Sequence, residues 1–234
     1  MVAVPWFDQD YQFYVSEIKS VKEHFPDLHF KITDDNLLQL IGSLNFRATF
    51  PGYKRTIEDT YFIKIKYPNN YPSKAPVAIE TAGKIPRSYH TNPDKTLCLG
   101  TNHAVDAIFK ENPCTIHFIE KILIPYLFRY SALYLYKEEL FGELKHGAEG
   151  LIDYYKSLFV TQDQYSAINL LKYIKDKPYR GHLICPCGSG KKIRNCHGDK
   201  LIQIYPNKLS VLRDLDIIFG PDKLKSKKKK KRFF

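Results

Sequence analysis

The sequence predicts an α+β protein, and three observations carry that prediction. An apolar face recurs at helical spacing near the start of the chain, two long alternations of period two follow it, and a helical face returns after residue 112. Tyr11, Tyr14, Val15, Ile18, Val21 and Phe25 fall three and four apart, which predicts a helix over 8–25 with Asp8 as N-cap and Pro26 as stop. A strand is expected near 30–33, closed by the turn Asp34-Asp35-Asn36. Leu38, Leu40, Leu44, Phe46, Ala48 and Phe50 then occupy even positions, opposite Gln39, Ser43, Asn45, Arg47 and Thr49. After Pro51-Gly52, Ile57, Tyr61, Ile63, Ile65 and Tyr67 alternate with Glu58, Thr60, Lys64 and Lys66, and the short connection makes the pair antiparallel. The prolines of 68–76 lack the donor a ladder needs. Val77, Ile79 and Thr81 give one more short strand. Asn112-Pro113-Cys114-Thr115 starts a helix with Ile116, Ile119, Leu123, Leu127, Tyr130 and Tyr134 on its apolar face, and Pro125 predicts a kink in it. Two further helices are expected over 151–159 and 164–174.

At 234 residues, 44% of them hydrophobic with 17 Tyr and 15 Phe, the chain suits one packed domain and a smaller appendage. Its first residues show no basic start followed by an apolar run, and no apolar stretch approaches the ~18 residues that span a bilayer. The expectation is a cytoplasmic protein with reduced thiols and no membrane partner. The net charge of +11 is mostly local: 222–234 carries eight positive charges against one negative, or +7. Such a run is a solvated disordered tail or a segment drawn to an acidic partner or nucleic acid.

The stretch Tyr89-His90-Thr91-Asn92-Pro93-Asp94-Lys95-Thr96-Leu97-Cys98-Leu99-Gly100 places one thiol at the end of a polar, turn-forming loop. Flanked by Leu97 and Leu99, Cys98 would by itself be a buried small apolar residue. The His, Asn, Asp and Lys before it do not belong unpaired in a dry core, which sets the thiol where polar chain meets an apolar wall. Cys114, at a helix start, is read as packing, with an activated thiol as the alternative.

Cys185, Cys187, Cys196 and His197 supply three thiols and an imidazole within fourteen residues. That donor set suits tetrahedral Zn²⁺, and four protein ligands leave no open position for water, so the expected zinc is structural. Pro186 stiffens the first pair while Gly188 and Gly190 let the chain wrap back. Lys191, Lys192 and Arg194 on the same loop are either a docking surface or simply solvated.

Tyr71-Pro72, Pro76-Val77, His90-Thr91-Asn92 and Cys98, following a helix and a meander, resemble the ubiquitin-conjugating enzymes. That family has a helix, a four-stranded antiparallel sheet, a Tyr-Pro…Pro turn, a His-Pro-Asn loop and a catalytic cysteine. Thr91 stands where the family has proline, the loop to the cysteine is shorter, and the only tryptophan is Trp6 rather than one downstream of the cysteine. These departures, and the run from Lys145 to Leu151, are similar to divergent bacterial relatives from anti-phage systems. The run 185–198 resembles the C-terminal zinc motif of the SecA translocation ATPase. The resemblance divides the chain into a conjugating-enzyme-like domain (1–147), a helical extension (148–180), a zinc motif region (181–220) and a basic tail (221–234).

What the resemblance implies is a thioester at Cys98 with the C-terminus of a ubiquitin-like protein, or of a glycine-ended cyclic-nucleotide synthase, then transfer to an amine. An activating enzyme is a further possible partner. Asn92 would bond the tetrahedral oxyanion or hold the loop, and His90 would fix the loop through its ring nitrogens, with a general-base role as the alternative. Two other readings stay open: an inactive relative that binds such a partner, and a nucleic-acid adaptor using the zinc loop and the Lys-rich tail.

Overall fold

The computed structural model describes residues 4–140 and 147–220, and the chain divides into two compact units, 1–144 and 145–234. The expected disordered tail at 221–234 and residues 145–146 of the run quoted above lie outside the described residues.

The first unit is α+β. Helix α1 (Trp6–Gln9) ends at Asp10, whose carboxylate accepts from the Phe13 amide and caps α2 (Tyr11–His24). The helix therefore starts at Asp10 and not at Asp8, because α1 buries Trp6 and Phe7 separately and uses Asp8 inside its own turn. Strands β1 (Leu28–Ile32), β2 (Leu38–Ala48), β3 (Ile57–Lys66) and β4 (Val77–Glu80) form one antiparallel sheet in the order β1-β2-β3-β4. The alternation sets the register. Leu40 faces Ile65 and Leu44 faces Tyr61, so the even residues of β2 and the odd residues of β3 line one buried face. At Gly42 the backbone has φ +143°, and an added Cβ would lie 2.0 Å from the Asp27 carbonyl oxygen. Only glycine lets β1's entry approach so closely.

Beyond the Cys98 stretch come α3 (Asn102–Phe109), α4 (Thr115–Phe118), a π-helical turn (Ile119–Leu123) and α5 (Ile124–Tyr136). The Pro125 kink is replaced by that π turn, which leaves Pro125 in the first turn of α5, where a missing N–H costs little. Phe118, Ile119, Leu123, Leu127 and Phe128 join the sheet residues in one core. Tyr134, expected on the apolar face, is 53% exposed. Asp59, Lys84, Ser131 and Tyr61 form a polar bridge between β3, the loop after β4 and α5. Ser131 Oγ donates to Asp59 Oδ2 (2.7 Å), Tyr61 Oη donates to Ser131 Oγ (2.6 Å), and Lys84 pairs with Asp59.

The second unit contains α6 (Gly147–Phe159), α7 (Gln164–Asp176), the Cys/His segment, α8 (Gly198–Ile204) and α9 (Lys208–Phe219). Tyr155, Phe159, Leu170, Leu171 and Ile174 share a core with Cys185, Ile193, Leu201, Val211 and Leu215. The helical stretch and the Cys/His segment are thus halves of one core. Among the described residues, no helix is long and apolar enough to cross a membrane.

Candidate thiol site and metal centre

The polar stretch before Cys98 folds as a narrow hairpin. Thr91 bridges Leu97, the Asn92 amide donates to the Thr96 carbonyl (2.8 Å) and the Lys95 amide to the Asn92 carbonyl (2.9 Å). Asp94 holds the tip, its Oδ1 accepting from both the amide and the hydroxyl of Thr96, and these bonds depress its pKa. The returning arm is tied to the sheet by the Leu97 amide, which donates to the Ala78 carbonyl of β4 (2.8 Å). Cys98 follows directly, its amide donating to the His90 carbonyl (2.7 Å), and Thr101 three residues on caps α3 through the Ala104 amide. Two arms and a helix start therefore fix the thiol's backbone.

The Cys98 side chain is half-buried and free. Burial raises the thiol's pKa and outweighs the opposing hydrogen bond from the Gly100 backbone. Asn92 uses its side-chain amide to donate to Thr96 Oγ1 (3.0 Å) within the hairpin. His90 serves the thiol through its carbonyl, while its ring packs edge-on against Tyr89 with centroids 4.8 Å apart. His103, on α3, is buried. Cys114 occupies the N-cap position of α4, where burial again raises its pKa.

Sequence reasoning missed Tyr126. Its hydroxyl donates to the carbonyls of Tyr89 (3.3 Å) and His90 (3.2 Å), 37 and 36 residues back in the chain. Nothing in the local pattern signals a contact of that separation.

In the second unit, Cys185, Cys187, Cys196 and His197 converge, with all four ligand atoms within 4.8 Å of one another. A turn brings the Gly188 amide onto the Cys185 carbonyl (3.3 Å), and the Cys185 amide returns to the Lys191 carbonyl (2.8 Å). The short edges fit a metal tetrahedron. Cys187 Sγ to Cys196 Sγ is 3.6 Å, and His197 Nδ1 lies 3.3 Å from Cys185 Sγ and 3.2 Å from Cys196 Sγ. Zn–S near ~2.3 Å and Zn–N near ~2.0 Å at tetrahedral angles give edges of about 3.8 and about 3.5 Å. A disulfide would need sulfurs at ~2.0 Å, and all four remaining cysteine-type positions of the chain besides Cys98 are likewise free.

Surrounding groups orient these donors. The Phe159 carbonyl bonds the His197 ring, and with Nδ1 facing the sulfurs this leaves that nitrogen as the ligand. Ser166 Oγ donates to the Cys187 carbonyl (2.9 Å), and Asp163 caps α7 by accepting from the Ser166 amide (2.8 Å). Burial raises the Cys185 thiol. Burial also opposes ionisation of Cys187, but hydrogen bonds from Ser189 and the neighbouring thiols outweigh it and lower the pKa. The four residues could hold a metal ion, and the donor set and spacing fit zinc. A search among known proteins returned no matching family model, no matching curated protein and no matching solved structure.

Proposed function

We propose that the first unit has the ubiquitin-conjugating-enzyme fold and that Cys98 carries an acyl group as a thioester, with a structural zinc in the second unit. The observation that carries this reading is the placement of one half-buried cysteine on a hairpin bonded to the last strand of a four-stranded meander, with its amide anchored.

The chemistry suits sulfur. Cys98 Sγ gives up its proton and attacks the carbonyl carbon of an activated C-terminal acyl group, a new C–S bond forms, and the donor's leaving group departs with the electron pair. An amine then attacks the same carbon, the C–S bond breaks, and the thiolate returns as an amide forms. The raised pKa keeps the resting thiol protonated at neutral pH, so the first step draws on a small thiolate fraction or on a base brought by the donor complex. The donor class is a ubiquitin-like protein or a glycine-ended synthase tail, the setting is cytoplasmic anti-phage defence, and an activating enzyme would supply the leaving group. Zinc, held by Cys185, Cys187, Cys196 and His197, supplies cross-linking of the second unit rather than reaction chemistry.

The test is capture. Cys98→Ser, expressed with candidate donors, should lose a reductant-sensitive adduct and retain an oxyester of the same mass increment. A thioester that persists in Cys98→Ser would refute the assignment.

A further inference from the structure

We propose that Tyr126 is the positioning residue of the Cys98 site: its hydroxyl clamps the backbone carbonyls of Tyr89 and His90 and thereby fixes the arm on which the Cys98 amide rests. The inference builds on the reading of Cys98 as the reactive thiol, and it adds a residue from a distant helix to that site.

Two donors converge on the His90 carbonyl. It accepts from the Cys98 amide at 2.7 Å and from Tyr126 Oη at 3.2 Å. His90 itself has φ +35°, a conformation that L side chains rarely adopt and that persists only where neighbours hold it. Two donors on its carbonyl supply that hold. Tyr126 in turn is buried on α5, and its ring lies against Tyr89 with centroids 5.8 Å apart. Burial also raises its pKa, which keeps the phenol a donor across the working pH range.

The geometry separates this clamp from ordinary helix packing. One turn further along α5, Tyr130 Oη donates to the Lys84 carbonyl at 2.6 Å. That bond is shorter than either made by Tyr126, yet it anchors the loop after β4 and not the Cys98 arm. The two tyrosines thus form a matched pair, each giving one hydroxyl to backbone carbonyls, with only Tyr126 touching the residue that receives the Cys98 amide.

The experiment compares Tyr126→Phe with Tyr130→Phe in the full chain, since both keep the ring and its packing. Two readouts are taken: hydrogen exchange at the Cys98 amide, and the rate and pH midpoint of Cys98 alkylation by iodoacetamide with Cys114 replaced by Ser and the metal site loaded with zinc. Tyr126→Phe should speed exchange and alkylation about 3- to 10-fold, the range one lost hydrogen bond allows, and lower the alkylation midpoint as the thiol gains solvent. Tyr130→Phe should leave both at the parent values while lowering the melting temperature. Parent-like exchange and alkylation in Tyr126→Phe would overturn the proposal, and so would equal changes in both variants, which would mark a general loosening of α5. Neither measurement uses an acyl donor, so failure of the thioester assignment shows itself separately, in the capture by Cys98→Ser.

Discussion

Replacing Cys185 and Cys187 together by Ser should empty the metal centre and unfold the second unit while the first stays folded. The magnitude follows from where these residues sit. Cys185 is 2% exposed and belongs to the same core as Tyr155, Phe159, Leu171 and Leu215, and two of four ligands are lost at once. Binding free energies of structural zinc in small peptides run to about 10–16 kcal/mol. Whole domains are stable by only about 5–15 kcal/mol. The loss is therefore comparable to the whole stability of a folded domain. Elemental analysis should find about one zinc per parent chain and none in the double variant. Calorimetry or hydrogen exchange should show protection lost in α6–α9 and retained in β1–β4, with a chelator reproducing the pattern in the parent protein. Full metal content in the double variant, or α6–α9 amides that stay protected after the metal is stripped, would refute the reasoning.

Three other expectations rest on the first unit. The Cys98 thiol should alkylate with a pH midpoint above its ordinary value of 9.0, because burial favours the neutral form; a midpoint below that value, measured with Cys114 replaced by Ser, would contradict the burial account. Gly42→Ala should cost about 2–4 kcal/mol in chemical denaturation, combining backbone strain with a collision against the Asp27 carbonyl, and a parent-like midpoint would show that the strand entry can move aside. Burial opposes ionisation of Asp59, but hydrogen bonds from Lys84, Ser131 and the Thr60 backbone outweigh it and depress its pKa below 3.8. A depressed carboxyl contributes stability above its unfolded pKa and loses it as pH falls through the folded one. Asp59→Asn should therefore flatten the acid limb of the stability curve below about pH 4, and an unchanged acid limb would remove Asp59 from that role.

The strands were legible because a sheet with one buried face imposes alternation on the chain itself. Leu38, Leu40, Leu44 and Phe46, and likewise Ile57, Tyr61, Ile63 and Ile65, fall on alternating positions, and the structure buries them. The Cys/His cluster was legible for a related reason: four ligands of one ion lie within fourteen residues, so chain spacing approximates spatial spacing. Helix α3 was not anticipated, although Thr101 offered a cap and Val105 and Phe109 an i, i+4 pair. Eight residues hold too little periodicity to stand out. Helices α8 and α9 were passed over beside the Cys/His signal, though Val211 and Leu215 repeat at helical spacing.

The sequence alone determined the antiparallel meander, the loop that ends in Cys98 and the donor set 185–197, since each is written in neighbours a few residues apart. Only the tertiary structure decided how the thiol is held and how ionisable it is. The Tyr126 hydroxyl reaches His90 across 36 residues, Ser131 reaches Asp59 across 72, and burial in the folded chain raises the Cys98 pKa. Hydrogen bonds and burial depend on distance in space, and the chain fixes that distance only after it has folded.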